Sequence, residues 1–134
     1  MKNILRTILW VLTGLITLNF LVTGLRWAVA PSGAAEAFNM SLFNGAALST
    51  QIGDIGAFFM GLGLFTLLGL ATKKREWFLA AAILVYAAAI FRILAWLFHG
   101  ASLMMQFILP EIIIGSLLLI ASKKLTTDSS QKSE

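Results

Sequence analysis

Four apolar stretches, about Ile4 to Leu25, Ile55 to Thr72, Trp77 to Phe98 and Leu103 to Ser122, take up most of this chain and leave it few ways to fold. Each approaches the ~20 residues that a helix needs to cross the ~30 Å hydrocarbon layer of a bilayer. A soluble core would not need such runs separated by tight basic clusters. Composition agrees: of 134 residues, 59% are hydrophobic and 12% are charged, against about 25% charged in an ordinary soluble domain. Disorder is excluded, and a water-soluble globule is disfavoured. Short connections at Lys73 to Glu76 and at His99 to Ser102 require their flanking helices to be antiparallel neighbours. The expected fold is all-α, an integral membrane antiparallel four-helix bundle over residues 1–125, followed by a polar, Ser-rich tail at 126–134 that reads as a disordered cytoplasmic end.

Orientation follows from the cations, because cytoplasmic flanks retain Lys and Arg. Lys2 and Arg6 precede the first stretch, Lys73, Lys74 and Arg75 separate the second from the third, and Lys123, Lys124 and Lys132 follow the fourth. All fall on one side, and Arg26 is the only flanking cation on the other. Both termini are therefore expected in the cytoplasm, with the long first loop outside. The net charge of +4 is a topology signal rather than a nucleic-acid patch, since the cations are dispersed among helix ends. Ala28-Val29-Ala30 imitates a signal-peptide cleavage site, but the apolar run before it exceeds a signal core and Pro31 would follow the cut, so the first helix is expected to be retained.

The external loop contains its own apolar pattern. From Ser32, as cap, through Phe43, a short interfacial helix would place Phe38, Leu42 and Phe43 on one side, with Trp27 as a bilayer anchor; a lid over an external cavity is the sharper alternative. Asn44-Gly45 then supplies a turn.

With no cysteine, the chain can form no disulfide, thiolate nucleophile, Cys-ligated iron–sulfur cluster or covalent haem, and His99 is its only histidine. No metal, no cofactor and no enzymatic activity are therefore expected. Three acidic or basic groups, Asp54, Arg92 and Glu111, enter or lie within the apolar stretches. Each intramembrane charge costs ~2.5 to 3.5 kcal/mol on insertion, so it should have a partner or a task. Arg92 lies nine residues before Ala101, at the centre of the hairpin turn, and Glu111 lies ten after it. At about 1.5 Å per residue both sit ~14 Å from the turn, where they can pair. Asp54, placed at the start of the second helix beside its N-terminal dipole, could be bridged to Glu111 by Arg92. Trp96 and His99 continue the Arg92 stripe outward, and Asn19, Thr23 and Gln106 lie at similar depth. Pro110, one residue before Glu111, is expected to kink its helix. The cluster is either an ion-pair network fixing helix order or an externally open pocket for an anionic or proton-linked ligand. Small residues on two neighbouring faces of the second helix, Gly53, Ala57, Gly61 and Gly56, Met60, Gly63, are expected packing seams or dimer faces.

Leu48-Ser49-Thr50-Gln51-Ile52-Gly53-Asp54 leading into the second span, Phe91-Arg92-Ile93-Leu94-Ala95-Trp96 with His99-Gly100 ending the third, and Glu111 in the fourth resemble a family of small bacterial four-helix membrane proteins, broadly similar to the DoxX-like group. The resemblance covers most of the chain and implies a four-helix bundle with a buried Asp, Arg and Glu set in a bacterial inner membrane. The expected role is a non-enzymatic accessory or interaction module whose partners are the lipid bilayer, a second copy or another membrane protein, and not nucleic acid. An oligomeric proton- or anion-linked transporter using Asp54, Arg92 and Glu111 is the alternative, and a quinone-linked redox accessory, a role found in some DoxX-like proteins, is a further one.

Overall fold

The computed structural model describes residues 1–127, and every regular element among them is a helix. They are α1 (Lys2–Val29), α2 (Pro31–Ala37), α3 (Gly45–Thr72), α4 (Arg75–His99) and α5 (Met105–Lys124). Four of them, α1, α3, α4 and α5, are long and apolar enough to cross a membrane. The chain turns between α3 and α4 on two residues, with Lys73 in the left-handed region (φ 55°), and leaves α4 through Gly100 (φ 65°). A left-handed residue suits a helix stop because its amide turns back onto the last carbonyls. Lys73 and Gly100 do this through bonds to the carbonyls of Gly69 and Ala95.

The helices form two antiparallel pairs, α1 with α3 and α4 with α5, which pack together into a four-helix bundle. Glycine sets the closeness of the first pair. A Cβ at Gly24 would lie 2.7 Å from the Met60 backbone nitrogen, Gly63 receives Leu21, and Gly56 lies against Trp27. Gly56, Met60 and Gly63 are thus the seam with α1. The neighbouring stripe is different: Cβ atoms at Gly53 and Gly61 would meet nothing within 4 Å, and Ala57 between them is exposed. α3 joins α4 near the basic end, where the Phe78 ring fills the notch at Gly69 and Phe65 stacks on Trp77 at 5.8 Å. Between the pairs the interior is filled by Phe20, Leu62, Phe78, Val85 and Leu118 with the small Ala81, Ala82 and Ala121. Buried hydroxyls need a partner in such a core. Thr13, Thr17 and Thr66 each donate to the carbonyl four residues earlier.

Three boundaries differ from expectation. α3 starts at Gly45 rather than near Ile55, so about three turns of the expected loop are helical; their small and polar residues precede the apolar run and hid the helix. α2 ends at Ala37, because Asn39 turns left-handed (φ 54°) and the amides of Phe38 and Met40 fold back onto the Ala35 carbonyl. Leu42 and Phe43 are therefore outside any helix and do not extend a face with Phe38. The α2 N-cap is Ala30, with Pro31 in the first turn, rather than Ser32. α5 continues through Pro110 as one helix. At the chain's far end Leu125 is buried, Thr126 bonds to the Ser122 carbonyl, and the Thr127 amide donates to the Lys73 carbonyl at 3.2 Å. The remainder of the expected tail, 128–134, lies outside the described residues.

The glycine contacts make a graded prediction. Gly24→Ala must push α1 from the α3 backbone and should lower unfolding stability in detergent by about 1–3 kcal/mol. Gly14→Ala meets open space and should be neutral or raise stability by up to ~1 kcal/mol through helix propensity. Equal effects of the two would contradict this packing.

Candidate functional site

Hydrocarbon cannot solvate an isolated charge, so the position of Arg92 is decided by what it can touch. Its Nε donates to Glu111 Oε1 at 2.9 Å, joining α4 to α5; the two side chains are 32% and 17% exposed. The guanidinium carbon also lies 4.9 Å from the centroid of the Phe107 ring, one turn before Glu111 on α5. Carboxylate and ring face thus hold the same cation, the ring adding ~0.5–1 kcal/mol at a part-exposed site. Glu111 is half-used: its Oε2 is buried and has no hydrogen-bond partner among the described residues.

Phe107 belongs to a chain of aromatic rings that runs across the loop end. It stacks on Phe38 at 5.5 Å, and Phe38 in turn lies 5.1 Å from Phe59 and 6.3 Å from Trp27. Phe38 follows α2, whose Ala34 and Ala35 are buried against Trp27. The segment from Pro31 to Met40 is consequently a cap whose inner side sits on the bundle. It is held from two further points. Arg26 donates to the Gly33 carbonyl at 3.3 Å, and Gln51 clasps the loop by accepting from the Phe43 amide and donating to the Ser41 carbonyl, each at 3.0 Å. Trp27 was expected at the bilayer surface; it is instead fully buried at the centre of this cap, with its indole Nε1 unpartnered among the described residues.

The other expected members of the cluster stand apart. Asp54 is exposed, makes no ion pair among the described residues, and is the tenth residue of α3 rather than its first, so neither the bridge to Arg92 nor the dipole placement holds. Trp96 is 44% exposed, and His99, Asn19 and Gln106 are exposed as well, while Thr23 is half-buried. Trp96 and His99 therefore form an outward stripe, separate from the Arg92–Glu111 contact. Among the described residues no group of three or more His, Cys, Asp or Glu is placed to hold a metal ion.

One polar pair escaped the sequence reading. Tyr86 and Ser116 share a hydrogen bond of 2.7 Å between α4 and α5, and the Tyr86 ring occupies the notch at Gly115. Both residues stand fifteen positions from Ala101, so the hairpin symmetry that aligned Arg92 with Glu111 would have found them. Tyrosine in an apolar stretch was the available signal. A surface cleft of about 440 Å³ lies between the loop and α3, lined by Met40, Phe43, Gln51 and Asp54. No family model, curated protein or solved structure matches the chain.

Removing Arg92 leaves a carboxylate without its cation. For a fully buried pair that costs ~3–5 kcal/mol, and with Arg92 about one-third exposed the expected loss for Arg92→Ala is ~1–3 kcal/mol. Arg92→Lys should lose less, and Arg92→Ala/Glu111→Ala should recover part of the loss. A double-mutant cycle from unfolding in detergent measures this; zero coupling would show that the contact does not hold the hairpin.

Proposed function

We propose that this chain is a small multi-pass protein of a bacterial inner membrane, with both termini in the cytoplasm, that acts as a non-enzymatic accessory or interaction module. Kinship to the DoxX-like group is part of the same proposal. The observation that carries it is the division of labour between inside and outside. Arg92, Glu111, Gln51 and Arg26 are engaged in contacts that hold hairpin and cap. α3 meanwhile turns Gly53, Ala57 and Gly61 outward, with exposed Asp54 beside their loop end. Small residues allow a second helix backbone to approach closely within a bilayer, where van der Waals packing drives association. The partner expected is another membrane helix, from a second copy or from a different protein.

Because the chain has no cysteine, a single introduced thiol can carry a photo-crosslinker. A probe at Ala57→Cys should yield a protein–protein product in native membranes, whereas one at Ile83→Cys, 67% exposed on α4, should react with lipid alone. Lipid products at both positions would overturn the interaction reading.

Glu111 Oε2, without a hydrogen-bond partner among the described residues, favours a second reading, an oligomeric proton- or anion-linked transporter in which Glu111 accepts a proton and Arg92 attracts an anion. Reconstituted protein should then show pH-dependent flux that Glu111→Gln abolishes. Flux equal to that of empty liposomes would remove it.

A further inference from the structure

The end of the bundle opposite the cap carries a different concentration of charge. Lys2, Arg6, Lys73, Lys74, Arg75, Lys123 and Lys124 gather there, and Glu76 is the only carboxylate among the described residues at that end. The cations are not evenly spread. Lys2 and Arg6, one turn apart on α1, and Lys124, at the end of α5, line one cleft of about 310 Å³ together with Leu5 and Leu9. No carboxylate among the described residues lies within ion-pair distance of any of the three.

Arg6 also lines a second cleft of about 360 Å³, with Asn3, Thr7 and Trp10. Trp10, 55% exposed, in turn lines a third, of about 420 Å³, a groove between α1 and α3 floored by Gly14 and walled by Leu18, Leu21 and Leu67. Shared residues thus link the clefts in the order cation, indole, hydrocarbon. The groove from Trp10 to Leu21 follows α1 for ~17 Å. That is close to one leaflet, half of the ~30 Å hydrocarbon layer.

We propose that this track is a binding site for an anionic phospholipid. The phosphate-bearing headgroup sits among Lys2, Arg6 and Lys124, and one acyl chain passes Trp10 to lie over Gly14 between α1 and α3. Cations at the membrane edge attract any anion, but a free phosphate has no use for the apolar groove. The groove alone would accept any chain, and only the cationic cleft selects the headgroup. Arg6 connects the two because it lines both the cleft shared with α5 and the one that leads to Trp10. Each Lys or Arg near a membrane surface contributes roughly fivefold in affinity for anionic lipid.

Native mass spectrometry of the purified full-length protein in neutral detergent, titrated with phosphatidylglycerol or phosphatidylcholine, tests the proposal. The wild type should bind phosphatidylglycerol at least about tenfold more tightly. Lys2→Gln/Arg6→Gln/Lys124→Gln should bring the two lipids level, and Lys124→Gln alone, on an exposed side chain that cannot unfold the bundle, should weaken phosphatidylglycerol about fivefold. Lys73→Gln/Lys74→Gln/Arg75→Gln removes the same charge from the same end but leaves the cleft intact, and should retain the preference. Gly14→Leu should weaken long-chain but not short-chain phosphatidylglycerol. Equal loss in both triple variants would reduce the effect to diffuse charge and overturn the site. Displacement of the lipid by equimolar inorganic phosphate, or indifference of chain length to Gly14→Leu, would overturn the acyl-chain assignment.

Discussion

Hydrocarbon does not tolerate an unpaired charge, and the loop half of this bundle is arranged around that fact. Arg92 reaches Glu111 with one nitrogen and lies against the Phe107 ring with its guanidinium, so one cation ties α5 to α4 twice. Phe107 then supports Phe38, and through Phe38 the cap rests on Trp27 and Phe59. Electrostatics fixes the hairpin, and stacked rings carry its position across to the other helix pair. The Tyr86–Ser116 bond and the Gly115 notch hold the same hairpin about six residues further from its turn.

The two helix pairs are built by different means. Between α1 and α3 the contact is steric: backbone meets side chain at Gly24, Gly56 and Gly63, and buried threonines satisfy themselves within their own helices. Between α4 and α5 the contact is polar as well as steric. Glycine notches tolerate little change in side-chain volume, whereas an ion pair can extend or contract by rotamer change without releasing its partner. Most of the cap's contacts fall on this first pair, through Arg26 and Trp27 of α1 and Gln51 and Phe59 of α3.

The spans and the pairing of Arg92 with Glu111 were legible from two simple periodicities, apolar run length and distance from a hairpin turn. Those signals are local or symmetric about one turn. Asp54 was misplaced because the start of α3 is polar and lies outside the apolar run, so hydropathy marked where the apolar run begins and not where the helix begins. Trp27 was misplaced because a tryptophan near a span end reads equally as an interface anchor or as a core residue. Deciding between them needs the position of α2, which folds back from beyond Pro31 to cover it. The faces of α3 were likewise indistinguishable by residue size; only the course of α1 decides that Gly56 is covered and Gly53 is not.

The helices differ in length. α5 has 20 residues and α1 and α3 have 28 each, or ~30 Å against ~42 Å. The apolar runs differ less than the helices do, from 18 residues in α3 to 22 in α1 and α4. The surplus of α3 is its first ten residues, Gly45 to Asp54, and these carry Gln51, which clasps the loop. A change in bilayer thickness would therefore act on all four spans nearly alike, and the extra turns of α3 hold the cap rather than match the bilayer.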